Sequence, residues 1–180
     1  MRTIIMLVFM WVNFCVSAQR VHQDPTHNFT VNRLLILNEK GEMLMVREKH
    51  VWAPPSYVVE HRQYLKEGLD SLASAYGIQI ADIRLRGQFS YKYDYHPYAT
   101  IRNFYTASYS AGAVKVPQGM DEVRWMPMQQ AVDINSVISI KEIVRQIVKS
   151  QNTIWGGSFM VSHIGDDHPT KMVEPFYPLF

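Results

Sequence analysis

Residues 52–78 hold the densest set of side chains able to do chemistry, with Glu60, Arg62, Glu67, Asp70, Ser71 and Ser74 close together in the chain. Carboxylates are what hard divalent cations require, and Mg2+ is often held by one or two of them together with the phosphate groups of a ligand. If residues 65–76 are helical, Glu67 lies four positions before Ser71 and shares a face with Ser71, Ser74 and Ala75, while Asp70 is displaced around the helix by one position. Glu60 sits on the preceding loop, two residues before Arg62. Mg2+ or Mn2+ held by Glu60, Glu67 and Asp70 would serve hydrolysis of a phosphorylated compound. Ser71 and Ser74 have no histidine and acid arranged beside them, so nucleophilic hydrolysis is not indicated. His61 follows Glu60 but lacks a partner that would make it a base. His163, Asp166, Asp167 and His168 match no closed zinc spacing and read as a solvated turn. Gly156-Gly157 is too short for a phosphate loop.

The same segment, WAPPSYVVEHRQYLKEGLDSLASAYGI, resembles the loop and helix of the Nudix hydrolases, whose signature is G-x5-E-x7-R-E-U-x-E-E-x-G-U with U aliphatic. It fits without a gap when Gly77 and Ile78 are matched to the end of the signature. Ser56 then stands at the first glycine, Arg62 at the first glutamate, Asp70 and Ser71 at the Arg-Glu pair, and Ser74 and Ala75 at the closing glutamates. Pro54, Val58, Leu72, Gly77 and Ile78 keep scaffold character. Val123-Arg124-Trp125-Met126-Pro127, preceded by Asp121-Glu122, resembles the strand after the family's variable loop. The resemblance covers residues 29–150 and implies the family's fold. Serine and alanine cannot replace carboxylates as Mg2+ ligands, and Arg62 adds positive charge where the family places negative charge. Loss of the family's metal-dependent hydrolysis is the expectation, with no cofactor and no metal ligand assigned.

The elements needed around that segment can be read from periodicity. Leu34, Leu35, Ile36 and Leu37 form a short apolar strand, Asn38-Glu39-Lys40-Gly41 a turn, and residues 43–47 the returning strand. Residues 51–57 read as a loop stiffened by Pro54 and Pro55, which also removes an amide donor. Leu65, Leu69, Leu72, Ala73 and Tyr76 recur at helical spacing and Gly77 ends that helix. Gly68 inside it costs about 1 kcal/mol against alanine, which close contact with the sheet would offset. Residues 80–86, 87–95 and 100–109 read as strands. Alternation puts Phe89, Tyr91, Tyr93 and Tyr95 on one face, either a stacking platform or cross-strand packing. Ser139-Ile140-Lys141-Glu142 reads as a capping box before a core-facing helix with Ile140, Ile143, Val144, Ile147 and Val148. Strands near 158–163 and 171–174 form a C-terminal hairpin that ends in the aromatic segment Phe176-Tyr177-Pro178-Leu179-Phe180. So apolar a tail packs on the domain, covers the groove, or joins two protomers as a homodimer. The fold class is α/β, an α/β/α sandwich with a mixed sheet and a C-terminal β-hairpin extension.

The chain has 180 residues, of which 47% are hydrophobic and 19% charged, enough to bury a core and too apolar for wholesale disorder. Formal charge is +2 and the basic residues are scattered among acids, so no nucleic-acid partner is indicated. Arg2, the apolar run of residues 4–12 and Val16-Ser17-Ala18 read as a secretory signal peptide over residues 1–18, followed by a polar lead-in over 19–28. The run is short for a bilayer span, which takes about 20 apolar residues. The single cysteine, Cys15, falls within that segment, leaving no thiol chemistry after cleavage. Asn28-Phe29-Thr30 is a glycosylation sequon. The domain proper would occupy residues 29–150 and the tail 151–180.

Two functions follow as expectations. The first is an exported binding module, periplasmic or extracellular, that takes a small molecule or protein in a groove with Trp52, Tyr57, Arg62, Tyr91 and Tyr93 as candidates. The second is a Nudix-type hydrolase of a nucleoside-diphosphate-like or other phosphorylated compound that uses Mg2+ or Mn2+ at Glu60, Glu67 and Asp70.

Overall fold

The computed structural model describes residues 28–60, 62–165 and 167–180. The expected signal peptide, Cys15, most of the lead-in, His61 and Asp166 lie outside the described residues. Strands β1 (Phe29–Leu37), β2 (Glu42–Glu48), β3 (Val51–Ala53) and β4 (Ser56–Val58) precede helix α1 (Leu65–Ala75). Then come β5 (Ile78–Tyr93), β6 (Ala99–Gly112), β7 (Glu122–Pro127), α2 (Met128–Ile134), α3 (Ile138–Lys149), β8 (Trp155–Val161) and β9 (Thr170–Pro178).

The described strands form one nine-stranded sheet in the order β3-β2-β1-β6-β5-β8-β9, with β4 paired to β1 and β7 to β2. β1 runs parallel to β6 and β5 parallel to β8, whereas the other pairs are antiparallel, so the sheet is mixed. Successive side chains of a strand point to opposite faces. Leu34, Ile36, Leu44 and Val46 therefore pack under α1 with Leu69 and Ala73. Leu35, Met43 and Met45 face the other way, onto α2 and α3 through Ala131, Val132, Ile143 and Ile147. Central strands buried on both faces are why the run Leu34-Leu35-Ile36 is uninterruptedly apolar. This is the α/β/α sandwich expected from the sequence.

A chain of side-chain bonds crosses the sheet and ends on α1. Gln88 Nε2 donates to Asn103 Oδ1 at 3.1 Å and Asn103 Nδ2 to Asn32 Oδ1 at 3.1 Å. Asn32 Nδ2 then donates to Tyr57 Oη at 2.9 Å, and that hydroxyl donates to Leu65 O at 3.4 Å. Gly68 lies against Tyr57: a Cβ there would sit 2.2 Å from Oη. The missing side chain makes room for the ring that closes the network.

Several boundaries differ from the sequence reading. Residues 51–57 are not wholly loop, because β3 and β4 flank Pro54-Pro55 as short pieces on two diverging strands. The stretches 80–86 and 87–95 fuse into one strand of 16 residues, with irregularities near Ala81/Arg84 and Leu85/Gly87 absorbing the break. Ser139 is not a cap. Helix α3 begins at Ile138 with Val137 before it, and Ser139 is 2% exposed with its hydroxyl toward Tyr91. Asn135 Oδ1 accepts the Val137 N–H at 3.4 Å and so turns the chain earlier than the serine would. The short helix α2 had no clear periodic signal.

The tail is built into the sheet. β8 pairs with β5 from Gly87↔Trp155 to Tyr93↔Val161, and Phe159 and Val161 lie in the core. Gly156 belongs to β8 because a Cβ would meet the Tyr177 ring at 2.6 Å. No helix among the described residues is long and apolar enough to cross a membrane.

Candidate functional site

β1 and β2 pair only at Leu37↔Met43 and then diverge. The freed edge of β1 takes β4 through Val31, Asn32 and Arg33, and the freed edge of β2 takes β3 through Val46, Arg47 and Glu48. Pro54-Pro55 bridges the opening, tied down where Leu34 N donates to Pro55 O at 2.9 Å and Arg33 Nη1 donates to Pro54 O at 2.5 Å. A cavity of about 360 Å³ occupies this opening.

Arg33, Glu48, Lys49, Ser56 and Tyr76 supply the polar part of its wall, and Val46, Val51, Ala53, Met120, Val137 and Ile140 the apolar part. Arg33 is 9% exposed and no carboxylate among the described residues pairs with it. Burial, and then the neighbouring Arg102, lower its pKa to about 10, so its charge is held at an energetic cost. Tyr76 closes the end of α1 beside it, and burial raises that phenol above its ordinary range. Lys49 lines the cavity from the turn between β2 and β3. Lys49 and His50 form a two-residue turn between β2 and β3 with φ of 46° and 71°, a conformation that Asn and Gly adopt at less cost.

The sequence candidates are distributed as follows. Ser71, Ser74 and Ala75 are exposed on α1. Glu67 is also exposed, and its Oε2 accepts the Tyr64 N–H at 3.4 Å at the start of the helix. Asp70 Oδ2 lies 2.5 Å from Lys66 Nζ in a surface i,i+4 pair. Glu60 and Arg62 are exposed on the loop before α1. Among the described residues no three His, Cys, Asp or Glu side chains come together to hold a metal ion, so Glu60, Glu67 and Asp70 do not converge. The cavity wall carries one carboxylate, Glu48, accompanied by Arg33 and Lys49.

Of the aromatic candidates, Trp52 is 8% exposed in the α3-side core, with the Arg124 and Arg47 guanidiniums 4.9 and 5.6 Å from its ring. Tyr91 is fully buried, stacked on Phe159 at 4.9 Å, and Arg102 lies 3.8 Å over its ring. Tyr93 is half-buried and its hydroxyl accepts from Arg102 Nη2 at 3.3 Å. Tyr57 belongs to the opposite face, under α1. The structure thus brings Tyr91 and Tyr93 together around Arg102 and leaves Trp52, Tyr57 and Arg62 apart. His163 and His168 stack at 5.0 Å beside Tyr95 in the β8–β9 turn.

Arg33, Glu48, Lys49 and Tyr76 were not singled out from the sequence. One signal was present. Strand parity puts Arg33 on the same inward face as Leu35 and Leu37, and a charge at an inward position needs an explanation.

No protein-family model and no curated protein matches the sequence. Solved structures do. A MutT mutator protein from Bacillus halodurans is 14% identical with a TM-score of 0.68, over 82% of this chain and 99% of that one. A MutT protein from Methanosarcina mazei Go1 is 18% identical with a TM-score of 0.56, over 69% and 95%. A Nudix hydrolase from Nitrosomonas europaea is 11% identical with a TM-score of 0.58, over 75% and 79%. The likeness is one of architecture, and it agrees with the order of strands and helices around the segment 52–78: the chain has the Nudix fold.

Proposed function

We propose that this chain is a Nudix-fold module that binds a small molecule without a metal ion, and that it does so outside the cytoplasm. The observation that carries the reading is the cavity between β1 and β2, whose wall offers Arg33 and Lys49 against the single carboxylate of Glu48. Guanidinium and ammonium groups repel a divalent cation and attract an anionic ligand directly. Pockets of this size, mostly apolar with a few convergent polar groups, are the usual form of a small-molecule site.

Metal-dependent hydrolysis of a phosphorylated compound is the second reading, and the fold shared with Nudix hydrolases is in its favour. It would need Glu60, Glu67 and Asp70 to rearrange, since Glu67 and Asp70 are engaged at the start and on the surface of α1. A panel of nucleoside diphosphate derivatives and other phosphate esters with Mg2+ or Mn2+ separates the two readings. No turnover is expected with any of them. Turnover that vanishes in Glu67→Gln would replace the binding reading with the enzymatic one. Export rests on residues 1–18, and amino-terminal sequencing of the mature protein should begin at Gln19.

A further inference from the structure

We infer that the cavity between β1 and β2 is a site for an amphipathic monoanion, an organic acid with one carboxylate and an apolar body, seated with its carboxylate on Arg33. This rests on the binding reading above and names its ligand class. A guanidinium has five N–H donors in a fixed fork, and among the described residues Arg33 spends one bond, on Pro54 O. The planar fork matches a carboxylate with two parallel bonds.

The surroundings favour an anion for a second reason. Arg33 on β1 and Arg102 on β6 lie on the same sheet face at neighbouring register positions, Arg33↔Phe104 and Val31↔Arg102. The half-buried Arg102 guanidinium thus lies near the buried Arg33, and no carboxylate among the described residues pairs with either. Arg102 Nε is buried close to Arg33 without a hydrogen-bond partner, and the buried Tyr91 and Ser139 hydroxyls are set against each other. Uncompensated positive charge buried at Arg33 raises the free energy of the folded chain, and an anion bound against it relieves that cost.

Charge count and lining limit the anion. Arg33 and Lys49 against Glu48 leave one net positive charge on the wall, which suits one negative charge and not the several of a diphosphate. Val46, Val51, Ala53, Val137 and Ile140 provide an apolar enclosure for the rest of the ligand. About 360 Å³ accommodates a body of a few carbons beyond the carboxylate.

The test is calorimetric titration of the full chain with hexanoate, 3-phenylpropanoate, hexanol, and pyrophosphate with and without Mg2+. Saturable one-to-one binding of at least one acid is expected, with a dissociation constant on the order of 1 mM or tighter, unchanged by EDTA, and hexanol at least about tenfold weaker. Arg33→Gln should weaken the acid roughly tenfold to a hundredfold, the value of a charge-assisted pair. Because Arg33 also holds the Pro54 carbonyl, Val137→Trp serves as an independent variant that fills the cavity and should abolish binding while Arg33 stays in place. Absence of acid binding, equal binding of hexanol, or full-strength acid binding in both variants would overturn the monoanion site and leave the binding-module reading standing. Tight pyrophosphate binding that requires Mg2+ would overturn both.

Discussion

Gly68→Ala should destabilise this chain even though alanine is the better helix former. In an exposed helix interior the change is worth about 1 kcal/mol in favour of alanine. Here the new Cβ would lie 2.2 Å from Tyr57 Oη, 2.6 Å from Cζ and 2.8 Å from Cε2. Carbon atoms prefer separations of about 3.5–4.0 Å, so the ring must retreat by about 1 Å or more. Retreat breaks the 2.9 Å bond from Asn32 Nδ2, a donor on a residue that is 1% exposed. Leaving that donor unpaired costs about 1–3 kcal/mol, and overpacking costs about 1–3 kcal/mol more. Subtracting the helix gain leaves a net loss of roughly 1–5 kcal/mol. Urea denaturation followed by circular dichroism measures it from the shift in midpoint at constant slope. In a Tyr57→Leu background the offending ring atoms are gone, and the same substitution should be neutral or stabilising. A stabilisation of about 1 kcal/mol by Gly68→Ala in the otherwise native chain would refute the packing described for α1.

Three further outcomes follow from particular residues. Tyr91 is fully buried with its hydroxyl set against that of Ser139, so Tyr91→Phe should cost about 0.5–1.5 kcal/mol near pH 7, the net value of one hydrogen bond, measured by the same denaturation. Burial holds the Tyr91, Tyr76 and Tyr105 phenols above their ordinary 10.0, so the folded chain keeps protons that the unfolded chain releases, and what these tyrosines contribute to stability falls as pH rises past 10. The fall should be shallower in Tyr91→Phe; an unchanged slope would mean that Tyr91 titrates normally. Lys49→Asn with His50→Gly relieves two left-handed backbones and should raise stability by about 1 kcal/mol while weakening hexanoate binding several-fold, read by denaturation and calorimetry. Removing residues 151–180 takes Phe159 and Val161 out of the core and uncovers the β5 edge, so the truncated chain should lose cooperative unfolding and aggregate.

The architecture was legible because its signals are periodic. Leu34 to Ile36, the residues Leu69, Ala73 and Tyr76 of the α1 stripe, and Ile140, Ile143, Val144 and Ile147 of α3 report burial through spacing alone, whereas Leu65, read in the same α1 stripe, is 49% exposed. Phe89, Tyr91, Tyr93 and Tyr95 share a face as alternation requires, and contacts such as Phe89 to Phe104 at 5.6 Å make them packing residues. The site was harder to see because its members are far apart in the chain. Arg33, Lys49, Tyr76 and Val137 meet only because β1 and β2 diverge after one paired position, a property of three dimensions with no local signature. Ser139 shows how a local rule fails: Asn135 turned the chain first, and tertiary packing drew the serine inside. Gly156 falls before the strand expected from residue 158, because nothing local reveals the Tyr177 ring that excludes its side chain.

The claim on which the account turns is that the chain takes its ligand without a cation. Calorimetric titration of the purified, EDTA-treated chain with Mn2+ tests it most directly. Only weak, non-saturating heat is predicted, unaltered by Glu67→Ala. One-to-one Mn2+ binding that disappears in Glu67→Ala would contradict the account and return Glu67 to the role of a metal ligand.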